Sequence, residues 1–274
     1  KDPHSRYRIH VVTADVTPCV CDCFEKLCRP DVEVRVIPAG VGELGRLHQA
    51  DDSSICVATH AALLKFRLPG LLPNLEKVLY LDGDLIVRSD LTSLFCIDLH
   101  DELAGVVPDS GQIYFKHEYV RRVKRYFNSG VMLLNLAQMR LEGLEQRLID
   151  IKQSSAVGLL MEQNVFNLAF DGRVTYLPIR YNFMPVSLVR ARGKWTLPQI
   201  NALFGTDYAG ERDLFADAAI IHYSSRDKPW KDPDGAMACE WRRFGEKRTI
   251  ASARPTVSVV MPMYNVSAYV SAAL

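Results

Sequence analysis

Two aspartates flank a single glycine, Asp82-Gly83-Asp84, between the apolar runs Val78-Leu79-Tyr80-Leu81 and Leu85-Ile86-Val87. The first run reads as a buried strand, which puts the acids at its end. Alternation along an extended chain turns both carboxylates to one side. Gly83 lets the backbone bend and lets a large ligand come close. Two hard oxygen ligands at a strand end suit Mg²⁺ or Mn²⁺, and such an ion suits a diphosphate. The competing reading is an Asp-Gly hairpin turn joining two strands.

The surrounding pattern supplies elements to hold such a site. Arg8–Thr13, Val32–Ile37, Ala104–Val107, Phe127–Asn135, Val174–Leu177 and Ala218–His222 read as strands. Helices are expected from Pro18 to about Cys28, over His60–Leu68, Ala137–Ile151 and Leu159–Phe170. In Ala137–Ile151, Leu141, Leu144 and Leu148 fall on one face of a continuous helix. Gln112–Arg125 is polar, aromatic and basic, and is expected to cover the site as a loop or helix. The βαβ rhythm predicts an α/β fold with a twisted, mostly parallel sheet flanked by helices. Ligands of such sheets bind beyond the carboxyl ends of strands, where Asp82 and Asp84 fall.

The 274 residues are 48% hydrophobic and carry a formal net charge of +1, so a large core is available and a nucleic-acid surface is not indicated. No apolar run approaches the roughly 20 residues that span a bilayer, and no signal peptide is visible. The 7 cysteines, an odd number, fit a reducing compartment. Cys19, Cys21, Cys23 and Cys28 lack paired CxxC spacing and partner histidines. They read as small buried thiols on a helix rather than as a zinc site.

Three further segments stand with the aspartate strand: Tyr126-Phe127-Asn128-Ser129-Gly130-Val131-Met132-Leu133-Leu134-Asn135, Met161-Glu162-Gln163-Asn164-Val165-Phe166-Asn167, and Ile221-His222-Tyr223-Ser224-Ser225-Arg226-Asp227-Lys228-Pro229-Trp230. In this order and spacing the set resembles glycosyltransferase family 8, the retaining α-glycosyltransferases, over about Arg8 to Trp230. The resemblance implies a GT-A, Rossmann-like fold and a UDP-glucose or UDP-galactose donor. It implies Mn²⁺ (or Mg²⁺) held by Asp82, Asp84 and His222. Mn²⁺ accepts carboxylate and imidazole together and, as a Lewis acid, neutralises a diphosphate leaving group. On its own His222 would read as a satisfied histidine at a strand end.

By the same resemblance Lys228 binds the diphosphate, and Lys65 faces the nucleotide phosphates. As isolated residues the two read as surface lysines. Trp230 is expected to pack rather than bind. Asp109, Asn128, Ser129 and Gln163 fall at donor-binding positions, where carboxylate and amide groups read sugar hydroxyls. Glu162 stands where the family usually has Asp, and it orients the sugar or transiently traps the cation. Gln163, a poor nucleophile, lies near the β-face of the anomeric carbon. The implied chemistry is front-side attack by an acceptor hydroxyl, with the leaving phosphate oxygen as base. Asn128 also reads as a strand-end cap, and Glu162 as a helix N-terminal acid.

The chain departs from the family pattern in places. Ser225 replaces the phosphate-binding glycine, and Asn164 replaces a common Asp. Arg8–Thr13 matches the family's second strand, so the first is missing from this chain. Either it has been trimmed away, or the strand near Val257 substitutes for it. Residues 1–251 are therefore expected to form the family 8-like domain. Residues 252–274 are expected to be a linker and the truncated start of a second domain, whose strand resembles the first of family 2. Acceptors would be a glycan, lipid-linked or glycoprotein substrate in bacterial surface polysaccharide or lipopolysaccharide assembly. A cytoplasmic location is expected; the short basic segment Glu240–Arg248, interrupted by Gly245, reads as a solvated helix end before it reads as a peripheral contact to the inner membrane face. Two other functions compete: a non-catalytic nucleotide-sugar or glycan-binding module, and a phosphatase-like or nucleotidyltransferase metal enzyme. The latter lacks a Gly-rich phosphate loop.

Overall fold

A computed structural model of the chain describes residues 6–13, 18–40, 42, 44, 60–110, 122–154, 162–185, 196–224, 228–232, 234–235, 237–245 and 255–262. The strands are β1 (Arg6–Thr13), β2 (Val32–Pro38), β3 (Lys77–Leu81), β4 (Leu85–Val87), β5 (Ala104–Pro108), β6 (Phe127–Asn135), β7 (Val174–Tyr176), β8 (Ile220–His222) and β9 (Pro255–Pro262). Seven form one sheet in the order β2-β1-β9-β3-β6-β5-β7. Every strand runs one way except β6, which is antiparallel to β3 and β5. β3 and β6 are buried almost end to end, as central strands covered on both faces are.

Two clusters cover the sheet. On one side Val78, Tyr80, Met132 and Leu134 pack with Phe66, Leu148, Phe166 and Phe170. On the other, Leu79, Leu81, Val131 and Leu133 pack with Leu94, Leu99 and Ile220. This alternation along β3 and β6 gives each face its own apolar set.

β3 and β4 do not form the hairpin that Asp-Gly alone allows. β3 belongs to the large sheet, whereas β4 pairs antiparallel with β8 in a separate ladder, with Leu85 opposite His222. The chain thus leaves one sheet at Asp82 and enters another at Leu85. β9 lies between β1 and β3, parallel to both. The tail strand therefore occupies a place inside the main sheet.

Two sequence expectations are corrected. The helix over Ala137–Ile151 is broken into Leu136–Leu141 and Leu144–Gln153, with Gly143 at φ +62° between them. Leu144 and Leu148 are buried, but Leu141 is 80% exposed, because a face drawn for one continuous helix does not survive the break. The helix at Pro18 stops at Glu25, and Cys28 lies beyond it, exposed, with Cys21 half-buried. Cys28 accepts a hydrogen bond from Val34 N, so it is tied to β2 instead of sunk in a core. The expected cover at Gln112–Arg125 lies outside the described residues as far as position 121, as do Leu159–Met161 at the start of a predicted helix.

Candidate active site

Three strand ends build the site. The carboxyl end of β3 carries Asp82, whose backbone N–H donates to Gly130 O at 2.8 Å on the incoming β6. The β4–β8 ladder then holds His222 across from Leu85, the residue after Asp84. His222 Nε2 lies 3.2 Å from Asp84 Oδ1 and 3.8 Å from Asp82 Oδ2. One ligand atom from each of the three residues lies within 4.8 Å of the others, and this is the one such group among the described residues. Neighbouring ligands on a cation with bonds near 2.1 Å stand about 3 Å apart, so the triad fits an octahedral Mg²⁺- or Mn²⁺-type ion.

Gly130 makes room for this closeness. A Cβ there would sit 2.2 Å from His222 Cε1 and 2.7 Å from Asp82 Oδ2. Tyr80 and Lys65 turn Asp82 toward the triad. Tyr80 Oη donates to Asp82 Oδ1 at 2.7 Å, and Lys65 Nζ stands 3.7 Å from the same oxygen. That leaves Oδ2 facing His222.

Electrostatics follow the geometry. Burial pushes the Asp84 carboxyl up, but His222 and Lys228 overcome it and hold the group well below the usual carboxylate range. Burial lowers the His222 imidazole, and Asp84 and Asp82 more than reverse that, so its pKa is raised. Lys228 Nζ donates to Asp84 Oδ2 at 2.5 Å and to Tyr223 O at 2.6 Å.

Lys65 is not a surface lysine. It is 1% exposed, in the 3₁₀ turn Leu64–Arg67, where β3 and β6 pack against the helix Glu162–Phe170. Its ammonium reaches Glu162 Oε1 at 3.2 Å and the Ser129 hydroxyl and carbonyl at 3.4 Å, above the Tyr80 ring. Burial opposes its charge, but Asp82 and Glu162 prevail and raise its pKa. Lys65 thereby joins the acidic pair to Glu162.

The amide group lies beside this centre. Asn128 Nδ2 donates to Gln163 Oε1 at 3.0 Å and stands 3.5 Å from Asp109 Oδ2. Gln163 Nε2 donates to Asp109 Oδ2 at 2.8 Å. Asn128 also caps its own strand end, accepting from Gly130 N at 3.0 Å. Asp82, Asp84, His222, Lys228, Lys65, Glu162, Ser129, Asn128, Gln163 and Asp109 thus form one connected cluster. Ser225 lies outside the described residues. Trp230 packs against Trp241 with ring centroids 4.9 Å apart.

Sequence reasoning missed Tyr80, Asn167 and Asn182. Asn167 binds both backbone groups of Phe127 at 2.8 Å and so pins the helix carrying Gln163 to the start of β6. Asn182, 1% exposed, bridges His222 and Asn128. A polar residue in apolar company, Asn167 in Val165-Phe166-Asn167-Leu168-Ala169-Phe170, was the available signal.

A family model described as Glycosyl transferase family 8 matches residues 1–234. Glycosyltransferase GlyA of Streptococcus pneumoniae is 35% identical over 159 residues, covering 57% of this chain and 20% of that protein. The lipopolysaccharide 1,2-glucosyltransferase of Escherichia coli is 27% identical over 168 residues, covering 58% of this chain and 46% of that protein. The chain thus spans between a fifth and about half of these curated relatives. The solved galactosyltransferase LgtC, in complex with donor and acceptor sugar analogues, superposes with a TM-score of 0.71 at 24% identity. It covers 91% of this chain and 88% of that one, a likeness of fold. The twisted, mostly parallel sheet flanked by helices is the GT-A arrangement that the sequence led us to expect.

Proposed function

Because the chain belongs to glycosyl transferase family 8, we propose that it is a metal-dependent retaining hexosyltransferase. It moves glucose or galactose from a UDP-sugar to a glycan, lipid-linked or glycoprotein acceptor in bacterial surface-glycan assembly. The observation that carries this reading is the convergence of Asp82, Asp84 and His222 beside the Asn128–Gln163–Asp109 amide and carboxylate group. When bound, a divalent cation on the triad would neutralise charge growing on the diphosphate. Lys228 and Lys65 add fixed positive charge on the same side. Asp109, Asn128 and Gln163 grip sugar hydroxyls, and Glu162, held by Lys65, faces the developing cation. The anomeric C–O bond breaks with its electron pair going to the phosphate oxygen. The acceptor oxygen bonds to the same face of the carbon, and its proton passes to that phosphate oxygen, so configuration is retained.

The test is UDP-hexose turnover with Mn²⁺, alongside calorimetry. Asp84→Ala is expected to lower turnover at least about 100-fold, since it removes charge stabilisation at the leaving group. Equal turnover by the variant would overturn the metal role. Mn²⁺-dependent UDP binding with no transfer across a sugar panel would favour a non-catalytic binding module.

We also propose residues 1–251 as the transferase unit and 252–274 as a linker and the start of a second unit, a reading against which the seat of β9 between β1 and β3 stands. A chain ending at 251 tests this. An unchanged melting temperature supports it, whereas a large loss assigns the β9 strand to the first unit. Cytoplasmic location and contact with the inner membrane face belong to the same proposal. Among the described residues no helix is long and apolar enough to cross a membrane. Arg242 and Arg243 are exposed on the helix Ala238–Gly245, while Trp241 turns inward onto Tyr223.

A further inference from the structure

Two backbone N–H groups fix the orientation of every amide around His222. Gly130 N donates to Asn128 Oδ1 at 3.0 Å, so that atom is the oxygen. Asn182 approaches the same oxygen at 2.9 Å and must present its Nδ2 there. Its Oδ1 is therefore the atom 3.0 Å from His222 Nδ1. A carbonyl oxygen only accepts, so Nδ1 carries the proton and donates. On the other side, Ser129 N donates to Gln163 Oε1 at 3.2 Å, which aims Gln163 Nε2 at Asp109. Had Asn182 been turned over, its oxygen would face the Asn128 oxygen.

We propose that Asn182 is a positioning residue with two jobs. It accepts the His222 Nδ1–H and so fixes the ring with Nε2 between Asp82 and Asp84, where a cation would take the place of the Nε2 proton. It also ties that imidazole, through Asn128, to the Gln163–Asp109 pair, so the ion and the sugar-binding amides share one hydrogen-bonded frame. A ligating histidine whose other nitrogen is committed to a fixed acceptor keeps its tautomer and ring angle, and loss of such a partner costs about 10–100-fold in metal affinity. The inference rests on the metal-site reading above. It adds a residue that lies on neither the Asp82-Gly83-Asp84 strand nor the His222 strand.

Three variants separate the two jobs. Asn182→Ala removes both the acceptor and the donor. Asn182→Asp keeps an acceptor for His222 Nδ1 but loses the donor to Asn128. Asp84→Ala is the control for the ion itself. Mn²⁺ affinity is measured by calorimetry without nucleotide, the His222 Nδ1–H resonance and its exchange by ¹⁵N NMR of the ion-free protein, and folding by thermal melts. Asn182→Ala is expected to weaken Mn²⁺ about 10–100-fold and to lose the slowly exchanging Nδ1–H resonance. Asn182→Asp is expected to bind Mn²⁺ at least as well as wild type while losing most of the extra affinity of UDP-hexose over UDP. Wild-type Mn²⁺ affinity and an unchanged Nδ1–H resonance in folded Asn182→Ala would overturn the proposal. So would loss of Mn²⁺ by Asn182→Asp as large as that of the alanine variant. If Asp84→Ala binds Mn²⁺ like wild type, the metal reading is what falls, and the NMR arm still decides the role of Asn182.

Discussion

At the scale of single residues, Gly130 shows how little space the site leaves. Its backbone holds Asp82 from one side and Asn128 from the other, at 2.8 and 3.0 Å. The missing side chain is what admits His222. Gly130→Ala places a methyl inside the van der Waals radius of the imidazole, and overpacking of this kind costs about 1–3 kcal/mol. The variant is expected to fold with a lowered melting temperature and to bind no Mn²⁺ by calorimetry, because His222 can relieve the clash only by leaving Asp82 and Asp84. Retained Mn²⁺ binding would place the ion elsewhere. Tyr80→Phe asks for less. It removes one hydrogen bond to Asp82 Oδ1 and leaves Lys65 near that oxygen. Outer partners of a ligand carry part of its affinity, so Mn²⁺ is expected to weaken about 10-fold while stability falls by about 1 kcal/mol.

At the scale of elements, the helix Glu162–Phe170 bears Glu162 and Gln163, and one side chain sets its seat. Asn167 replaces β-type pairing at the start of β6 by binding Phe127 N and O, and it also ties back to Gln163 O. Asn167→Ala leaves two buried backbone groups unpaired, at about 1–3 kcal/mol each. Loss of stability in denaturant melts and a raised KM for the donor are expected together, since Gln163 moves with its helix. The strands were legible because their apolar runs are local signals: β3, β5 and β6 lie where alternation and burial put them. The acidic pair was legible for the same reason, and His222 only in company with its segment. Lys65 was not, since a lysine in a helical stretch gives no sign that acids distant in the chain will surround it. Asn182 was hidden likewise, because its partners Asn128 and His222 come from other elements, whereas Tyr80, two residues before Asp82, reads as one more apolar residue of its strand. The break at Gly143 hid behind leucines spaced as in one helix.

At the scale of the whole molecule, the site is assembled by pairings distant in sequence. β3 meets β6 in the large sheet, and β4 meets β8 outside it. The geometry of Asp82, Asp84 and His222 is thus tied to global stability, and conditions that weaken the sheet should loosen that cluster. Mild acid is one such condition. His10, on β1 opposite Arg35 of β2, is 5% exposed, and neither ring nitrogen has a hydrogen-bond partner among the described residues. Burial, then Arg8 and Arg35, lower its pKa to about 4, with Glu33 opposing. Because the folded pKa lies below the unfolded value near 6.5, protons bind the unfolded chain first. The stability carried by the neutral imidazole is complete above about pH 6.5 and drains away as pH falls toward 4, by roughly 2–3 kcal/mol in all. Melting temperatures from pH 7 to 4 should therefore fall more steeply for wild type than for His10→Leu, which has no proton to take up. Parallel curves would mean that His10 is solvated or paired and that acid acts through the carboxylates.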